Sequence, residues 1–231
     1  GSMEIKNASG KTKELKTGDI FGEHTPLAAN HFTATAKTAC KLMSLNDKQF
    51  STGLRLKPEF MLMLMGLFVT FLRKPVSAAD AQAEISALIK KCLGKHDAVF
   101  SGKMLKELVK KLGDDAVTAM PPQRVIFKEG GTAMYMYVIL EGKVSARVDN
   151  KIVNESGPGD IIGEIALVDQ KPRTASVIAE THTSLLAINR QTLLELMQSM
   201  PDFGIALLRV LASRSSLHSS ARKPADDQNW D

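Results

Sequence analysis

Residues suited to binding a phosphorylated sugar cluster between positions 163 and 175, in the run GEIALVDQKPRTA. Gly163 has no side chain and lets a ligand approach the backbone closely. The residues after it can form a helical turn whose free N–H groups face an anion. Glu164 offers oxygens that can accept a hydrogen bond from a sugar hydroxyl. Arg173 offers a planar fork of donors that matches two phosphate oxygens.

Thr174 adds an N–H group and a hydroxyl, so the set predicts a ligand with one phosphate charge and one ribose-like hydroxyl. The predicted ligand-binding residues are Gly163, Glu164, Ile165, Ala166, Arg173, Thr174 and Ala175. Taken singly, each residue has a plainer explanation. Arg173 could be a solvated surface arginine, Glu164 a carboxylate favoured at the start of a helix, and Thr174 a residue that only bonds locally. The ligand-binding interpretation of Glu164 and Arg173 is favoured because the two residues lie on two limbs of one loop.

The elements around this loop occur twice in the chain. Residues 15–36 align without a gap to residues 156–177 at a shift of 141 positions, and Asn46 recurs as Asn189 at a shift two residues larger. Seven residues of the first stretch are identical in the second: Gly18, Asp19, Ile20, Gly22, Glu23, Thr33 and Ala34. Self-similarity of this kind predicts two copies of one domain.

The second copy reads as many short strands broken by glycine turns, followed by helices. Strands are predicted at 124–127, 135–140, 143–148, 174–179 and 184–188, and a helical stretch at 190–213 that Pro201 restarts. This pattern predicts a mixed α/β (α+β) fold, an antiparallel β-roll or jelly roll with flanking helices. We expect one complete and one partial copy.

The first copy lacks counterparts of residues 124–143 and has Phe32 and His31 aligned with Arg173 and Pro172. Without the cation, it is predicted not to bind the phosphate-bearing ligand. The predicted organisation is a partial, degenerate repeat at 3–74, a helical linker at 75–121, a complete domain at 122–213 and a disordered tail at 214–231. The apolar helix at 61–72 is expected to pack against a second helix or chain.

Composition narrows the functional classes. Net charge is +5, but acidic and basic residues are interspersed, which disfavours a nucleic-acid partner. The two cysteines, Cys40 and Cys92, form no ligand spacing, which fits a reducing cytoplasm. The longest apolar run is about half of a membrane span. With no nucleophile–base arrangement, metal cluster or phosphate loop, we expect no catalysis, cofactor, metal or membrane partner.

The 163–175 run resembles the phosphate-binding cassette of cyclic-nucleotide-binding domains. These domains occur in the regulatory subunits of cAMP-dependent kinase, in the catabolite activator protein and in cyclic-nucleotide-gated channels. The upstream run EGGTAMYMYVILEGKV matches the strand–turn–strand pattern of the family. The resemblance implies that Glu164 takes the ribose 2′-hydroxyl. It implies that Arg173 and the N–H groups of Ile165, Ala166 and Thr174 hold the cyclic phosphate.

We therefore expect a regulatory cyclic-nucleotide sensor whose C-terminal helices, from Arg190 onward, transmit binding. cAMP is the preferred ligand. cGMP stays open, because in cGMP-selective relatives a threonine after the arginine reaches the guanine amino group. Expected partners are a protein effector and a second copy, bound through residues 3–74. One alternative is a nucleotide-independent scaffold. The other is a DNA-binding regulator, which needs a basic recognition helix that the tail does not show.

Overall fold

The computed structural model describes residues 1–7, 10, 12–19, 21, 32–73 and 100–220. In the N-terminal part, a three-stranded antiparallel sheet of order β2-β1-β3 precedes two helices. Its elements are β1 (Met3–Asn7), β2 (Thr12–Leu15), β3 (Phe32–Ala36), α1 (Asp47–Leu56) and α2 (Pro58–Arg73). Residues 75–99 of the predicted helical linker lie outside the described residues.

The C-terminal part begins with α3 (Gly102–Leu112) and a 3-10 turn (Asp114–Ala116). Eight strands follow: β4 (Val117–Met120), β5 (Val125–Phe127), β6 (Tyr135–Glu141), β7 (Val144–Val148), β8 (Lys151–Ser156), β9 (Ile161–Ile162), β10 (Ser176–Ala179) and β11 (Thr183–Asn189). A short helix, α4 (Glu164–Asp169), lies between β9 and β10. The last two helices are α5 (Arg190–Ser199) and α6 (Pro201–Ser220).

The eight strands form two antiparallel four-stranded sheets, of order β5-β10-β7-β8 and β4-β11-β6-β9. A small apolar core lies in the roll, and its buried members are Ile139, Val144, Ile162, Val177 and Leu185. This confirms the predicted fold class, an antiparallel roll with flanking helices. The predicted strands are found, while β4, β8 and β9 were missed, because β8 (KIVNES) is almost wholly exposed and β9 has only two residues.

A second, larger core joins the helices of both parts. Met61, Phe68 and Phe203 are fully buried in it, together with residues of α1, α3, α5 and the β4-β11-β6-β9 sheet. The all-round apolar helix at 61–72 packs along α6 of the same chain. The expectation that it packs against a second helix or chain is thus met by a helix of the same chain. α6 buries much of the apolar surface of α2, while Met63 remains 40% exposed.

The strand registers agree with the aligned shift on one side of β1 and correct it on the other. Met3 pairs with Leu15 as Val144 pairs with Ser156, which keeps the shift of 141. On its other side, however, Met3 pairs with Ala36 as Val144 pairs with Ala179, a shift of 143. The two extra residues of the complete copy therefore precede β10. Phe32 corresponds to Ala175 rather than to Arg173, whose counterpart is Asn30, outside the described residues.

The predicted start of the disordered tail at 214 is also wrong over its first residues, because α6 continues to Ser220. Arg214 bonds to two groups of the roll, and these tertiary contacts hold the helix past the point where its apolar pattern fades. Extending a formed helix fixes one residue for each new bond, which costs little. Residues 221–231 lie outside the described residues.

Candidate functional site: the 163–175 loop

Gly163 shapes the start of the 163–175 loop. It precedes α4 with a left-handed backbone (φ 76°), which only glycine adopts without strain. A Cβ atom at this position would lie 2.3 Å from Nη1 of Arg173 and 3.2 Å from the Phe127 ring. Glycine is thus required twice, for the turn and for the close approach of the Arg173 guanidinium to the backbone.

The Arg173 side chain is 5% exposed and lies inside the loop. Its Nη1 donates to the Gly163 carbonyl at 2.8 Å and its Nη2 to the Tyr135 carbonyl at 2.5 Å. The guanidinium carbon stands 4.0 Å from the centroid of the Phe127 ring. Its Nε is buried and has no hydrogen-bond partner among the described residues. Within those residues, no carboxylate forms an ion pair with it.

Electrostatics around Arg173 reflect this burial. Desolvation lowers the pKa of Arg173, and the charges of Tyr137 and Glu164 oppose that shift. Desolvation raises the pKa of Tyr137, with Arg173 opposing. A buried cation without an ion-pair partner is costly in free energy. An anion bound at Arg173 would offset that cost, so the arrangement favours anion binding.

Glu164, the first residue of α4, is 1% exposed. Its Oε1 accepts a hydrogen bond from Nη1 of Arg214, and Nη2 of Arg214 donates to the Ile161 carbonyl at 2.7 Å. The sequence leads one to expect an accessible carboxylate facing a sugar. The structure instead shows that carboxylate covered by an arginine of α6.

The other predicted site residues are spread along the loop. Ala166 is buried in α4 and Ile165 packs against the helical core, whereas Thr174 is exposed and Ala175 is half-buried. The N–H groups of Ile165 and Ala166 precede the first hydrogen bond of α4, from Leu167 N to the Gly163 carbonyl at 3.4 Å, and no side chain caps them. The structure thus brings Gly163, Glu164 and Arg173 together and leaves Thr174 at the surface.

Sequence reasoning missed the groups that hold Arg173 in place. Gly130 lies in a turn with positive φ, and its N–H donates to the Arg173 carbonyl at 2.9 Å. The Arg173 N–H donates to the Gly131 carbonyl at 2.9 Å. Phe127 supplies the ring under the guanidinium, and Tyr135 supplies a carbonyl. The run EGGTAMYMYVILEGKV contains both glycines, but no pattern in it indicated what they contact.

Two cavities of about 390 and 450 Å³ lie in the C-terminal part, and neither is lined by Glu164 or Arg173. The first is lined by residues of α3, β4, β6 and β11, the second by the 130–134 segment and the end of α4. Leu167, Gln170, Lys171 and Pro172 of the 163–175 loop line the second cavity. Within the described residues, no group of His, Cys, Asp or Glu could hold a metal ion. None of the described helices is long and apolar enough to span a membrane.

Comparison with known proteins decides the family of the roll. A family model described as the cyclic nucleotide-binding domain matches residues 117–200. These residues belong to the cyclic nucleotide-binding domain family. The match covers all eight strands, α4 and α5, whereas α2 and α6 lie outside it.

Curated proteins of several kinds are similar to this chain. The chain is 29% identical over 136 residues to a Pycsar effector protein of Xanthomonas perforans, covering 57% of this chain and 44% of that protein. It is 31% identical over 118 residues to a cyclic nucleotide-gated potassium channel of Mesorhizobium japonicum, covering 51% and 32%. It is 31% identical over 99 residues to a CRP-like cAMP-activated global transcriptional regulator of Mycobacterium tuberculosis, covering 41% and 44%. The chain thus spans less than half of each relative.

Solved structures of cyclic nucleotide-binding proteins are also similar. A cyclic nucleotide-binding domain from Methylobacillus flagellatus is 27% identical, with a TM-score of 0.44, covering 65% of this chain and 89% of that one. The catabolite activator protein of Thermus thermophilus is 27% identical, with a TM-score of 0.42, covering 49% and 59%.

Proposed function

We propose that this chain is a non-catalytic sensor that binds one cyclic nucleotide at the 163–175 loop. The observation that carries the proposal is the buried Arg173 guanidinium, which has an unbonded Nε and no ion-pair partner among the described residues. A singly charged cyclic phosphate supplies the missing anion and two acceptor oxygens. The family of residues 117–200 and the cAMP named in relatives' descriptions support the same ligand class.

The remaining contacts follow from the elements beside Arg173. The Gly163 turn admits the phosphate close to the backbone, next to the uncapped N–H groups of Ile165 and Ala166. Glu164 accepts a hydrogen bond from the ribose 2′-hydroxyl. Because Arg214 already bonds to Glu164, the sugar and α6 meet at one carboxylate. Ligand entry therefore alters the contact that holds α6 to the roll.

Output through the C-terminal helices is the second part of the proposal. α6 packs along α2 and against α5, and its Arg214 reaches the binding loop. A change at Glu164 shifts the balance between bound and released positions of α6. A protein effector that recognises one of these positions would then read the ligand, since a ligand shifts an equilibrium by its differential affinity.

The test of ligand class is a calorimetric titration and a thermal-shift assay of the chain with cAMP, cGMP and 5′-AMP. A cyclic nucleotide at 100 times its dissociation constant stabilises the fold by about 2.7 kcal/mol. 5′-AMP serves as the control, because it has the base and ribose without the cyclic phosphate. Absence of binding to both cyclic nucleotides would leave the nucleotide-independent scaffold as the function.

Base preference gives a prediction at Thr174. We expect cAMP to bind more tightly than cGMP in a competition titration, because bacterial relatives are described as cAMP-activated or cAMP receptor proteins. The side chain of Thr174 is exposed, so its hydroxyl is the group that could reverse this preference. If cGMP binds more tightly, a hydroxyl bond to the guanine amino group is the explanation, and T174A should abolish the difference. T118A, at a site outside the loop, is the matched control.

Residues 40–46 of the partial copy support a second-copy interface. At the shift of 143, Leu42, Met43 and Leu45 correspond to residues of β11 that are fully buried in the complete copy. Those counterparts are Leu185, Leu186 and Ile188. Met43 is 86% exposed, and residues 40–46 form no strand, because no counterparts of β4 and β6 flank them among the described residues. An apolar segment that lacks its neighbouring strands favours pairing with another chain.

We therefore expect a homodimer that buries residues 40–46. Light scattering at high micromolar concentration should give the dimer mass, and L42D/M43D should give a monomer because charge opposes burial of this segment. I152D/V153D on the exposed strand β8 is the matched control and should remain dimeric. A monomeric wild-type chain would contradict the dimer, as would a variant that still dimerises.

A further inference from the structure

Arg73, the last residue of α2, contacts the binding loop from outside the family domain. Its Nε and Nη2 donate to the two carboxylate oxygens of Asp169, and the Nη2–Oδ1 distance is 3.0 Å. Nη2 also donates to the Pro172 carbonyl at 3.0 Å. The Arg73 and Asp169 side chains are only 20% and 12% exposed. A bidentate, largely shielded pair of this kind is stronger and more directional than a surface ion pair.

These bonds join both limbs of the loop to one guanidinium. Asp169 is the last residue of α4, and its Oδ1 also accepts from the Lys171 N–H at 3.2 Å. Pro172 directly precedes Arg173. With Gly130 and Gly131 fixing the Arg173 backbone from the other side, Arg73 restricts the remaining freedom of the segment that places the Arg173 guanidinium.

The chain contains a natural comparison for this contact. Arg55 of α1 donates to Asp202 of α6 at 2.9 Å and also joins the N-terminal helices to the C-terminal part. That pair uses one nitrogen, is 54% and 73% exposed, and touches no residue of the 163–175 loop. Arg55 therefore shares the bridging character of Arg73 without its access to the binding loop.

We propose that Arg73 is a positioning residue for cyclic-nucleotide binding, which couples α2 to the ligand site through Asp169 and the Pro172 carbonyl. The proposal rests on the function proposed above. Because coupling between sites is reciprocal, a ligand that orders the loop also strengthens the attachment of α2, and a partner that moves α2 weakens ligand binding. The partial copy, which carries α2, then acts as a regulatory segment for the complete one.

The test compares R73Q with R55Q by calorimetric titration of cAMP. R73Q should bind about tenfold more weakly, within the range typical of coupled sites. R55Q should bind like wild type, and both variants should keep cooperative urea unfolding. Equal or tighter binding by R73Q would overturn the proposal.

A second measurement needs no nucleotide and separates this proposal from the proposed function. Backbone amide hydrogen exchange of the ligand-free chain should rise in residues 163–175 of R73Q and stay unchanged in R55Q, because loss of the Arg73 bonds lowers the cost of local opening. If the wild type binds no cyclic nucleotide but exchange in the loop still rises in R73Q, the proposed function is wrong and the positioning role of Arg73 is retained. If exchange in the loop is unchanged in R73Q, the positioning role fails.

A double-mutant cycle tests whether Arg73 acts through Asp169. D169N should weaken cAMP binding by a similar factor, and R73Q/D169N should be no weaker than either single variant, because both changes break one contact. Independent, multiplying effects would show that Arg73 does not act through Asp169 and would overturn the proposed path.

Discussion

R173A should lower the affinity for cAMP at least tenfold without unfolding the domain. A charge-assisted hydrogen bond to an anion is worth about 1.5–3 kcal/mol, and Arg173 is the buried cation of the loop. Stability should change little, because removing a buried, unpaired charge offsets the loss of its bonds to the Gly163 and Tyr135 carbonyls. Calorimetric titration gives the affinity, and urea unfolding gives the stability.

Two further variants, R173K and R147A, test whether the loss of affinity comes from the guanidinium of Arg173. Lysine keeps the charge but loses the fork and the stacking on Phe127, so R173K should lie between wild type and R173A. Arg147 belongs to the same roll but pairs with Glu180 and Ser145, and R147A should bind like wild type. An R173A variant with wild-type affinity would mean that the anion binds elsewhere.

Much of the complete copy could be predicted from the sequence because its determinants are local. Glycines at positive φ, such as Gly130, Gly142 and Gly163, mark the turns. A continuous apolar run marks β6, and apolar residues alternating with polar ones mark β7. The Asn189 cap, whose Oδ1 accepts from the Thr192 N–H at 2.9 Å, marks the start of α5. Local rules of this kind act within a few residues and leave a readable pattern.

What could not be predicted depends on contacts between distant segments. Arg73, Arg190 and Arg214 give no motif in the sequence, yet all three bond to the loop region. Arg190 donates to the Leu167 and Val168 carbonyls at 2.9 and 3.0 Å, near the end of α4. Which surface an arginine reaches is decided by helix packing, here of α2 and α6, and the sequence pattern does not encode it.

These arginines explain how so short a helix is held. α4 has six residues, too few for stability in isolation, and it has no side-chain cap at its start. Arg214 bonds to its first residue, Arg190 to its late carbonyls and Arg73 to its last residue. The conformation of the binding loop thus depends on three helices at once.

The largest effect on stability is expected at Arg214. Glu164 is 1% exposed, and R214M would leave its carboxylate buried without the cation that pairs with it. Breaking a buried pair by removing one partner costs about 3–5 kcal/mol, and the 28% exposure of the Arg214 side chain places this case near the lower end. Urea unfolding of R214M at neutral pH should therefore show a loss of about 3 kcal/mol.

To test whether the unpaired Glu164 carboxylate causes this loss of stability, the charge of Glu164 is removed as well. E164Q/R214M should recover most of the stability, because a neutral amide is far cheaper to bury than an unpaired carboxylate. R55M, which breaks an exposed pair, should cost less than about 1 kcal/mol. If R214M loses no more stability than R55M, Glu164 is reached by water and α6 does not cover it. Output through α6 would then need a contact other than Arg214 to sense the ligand.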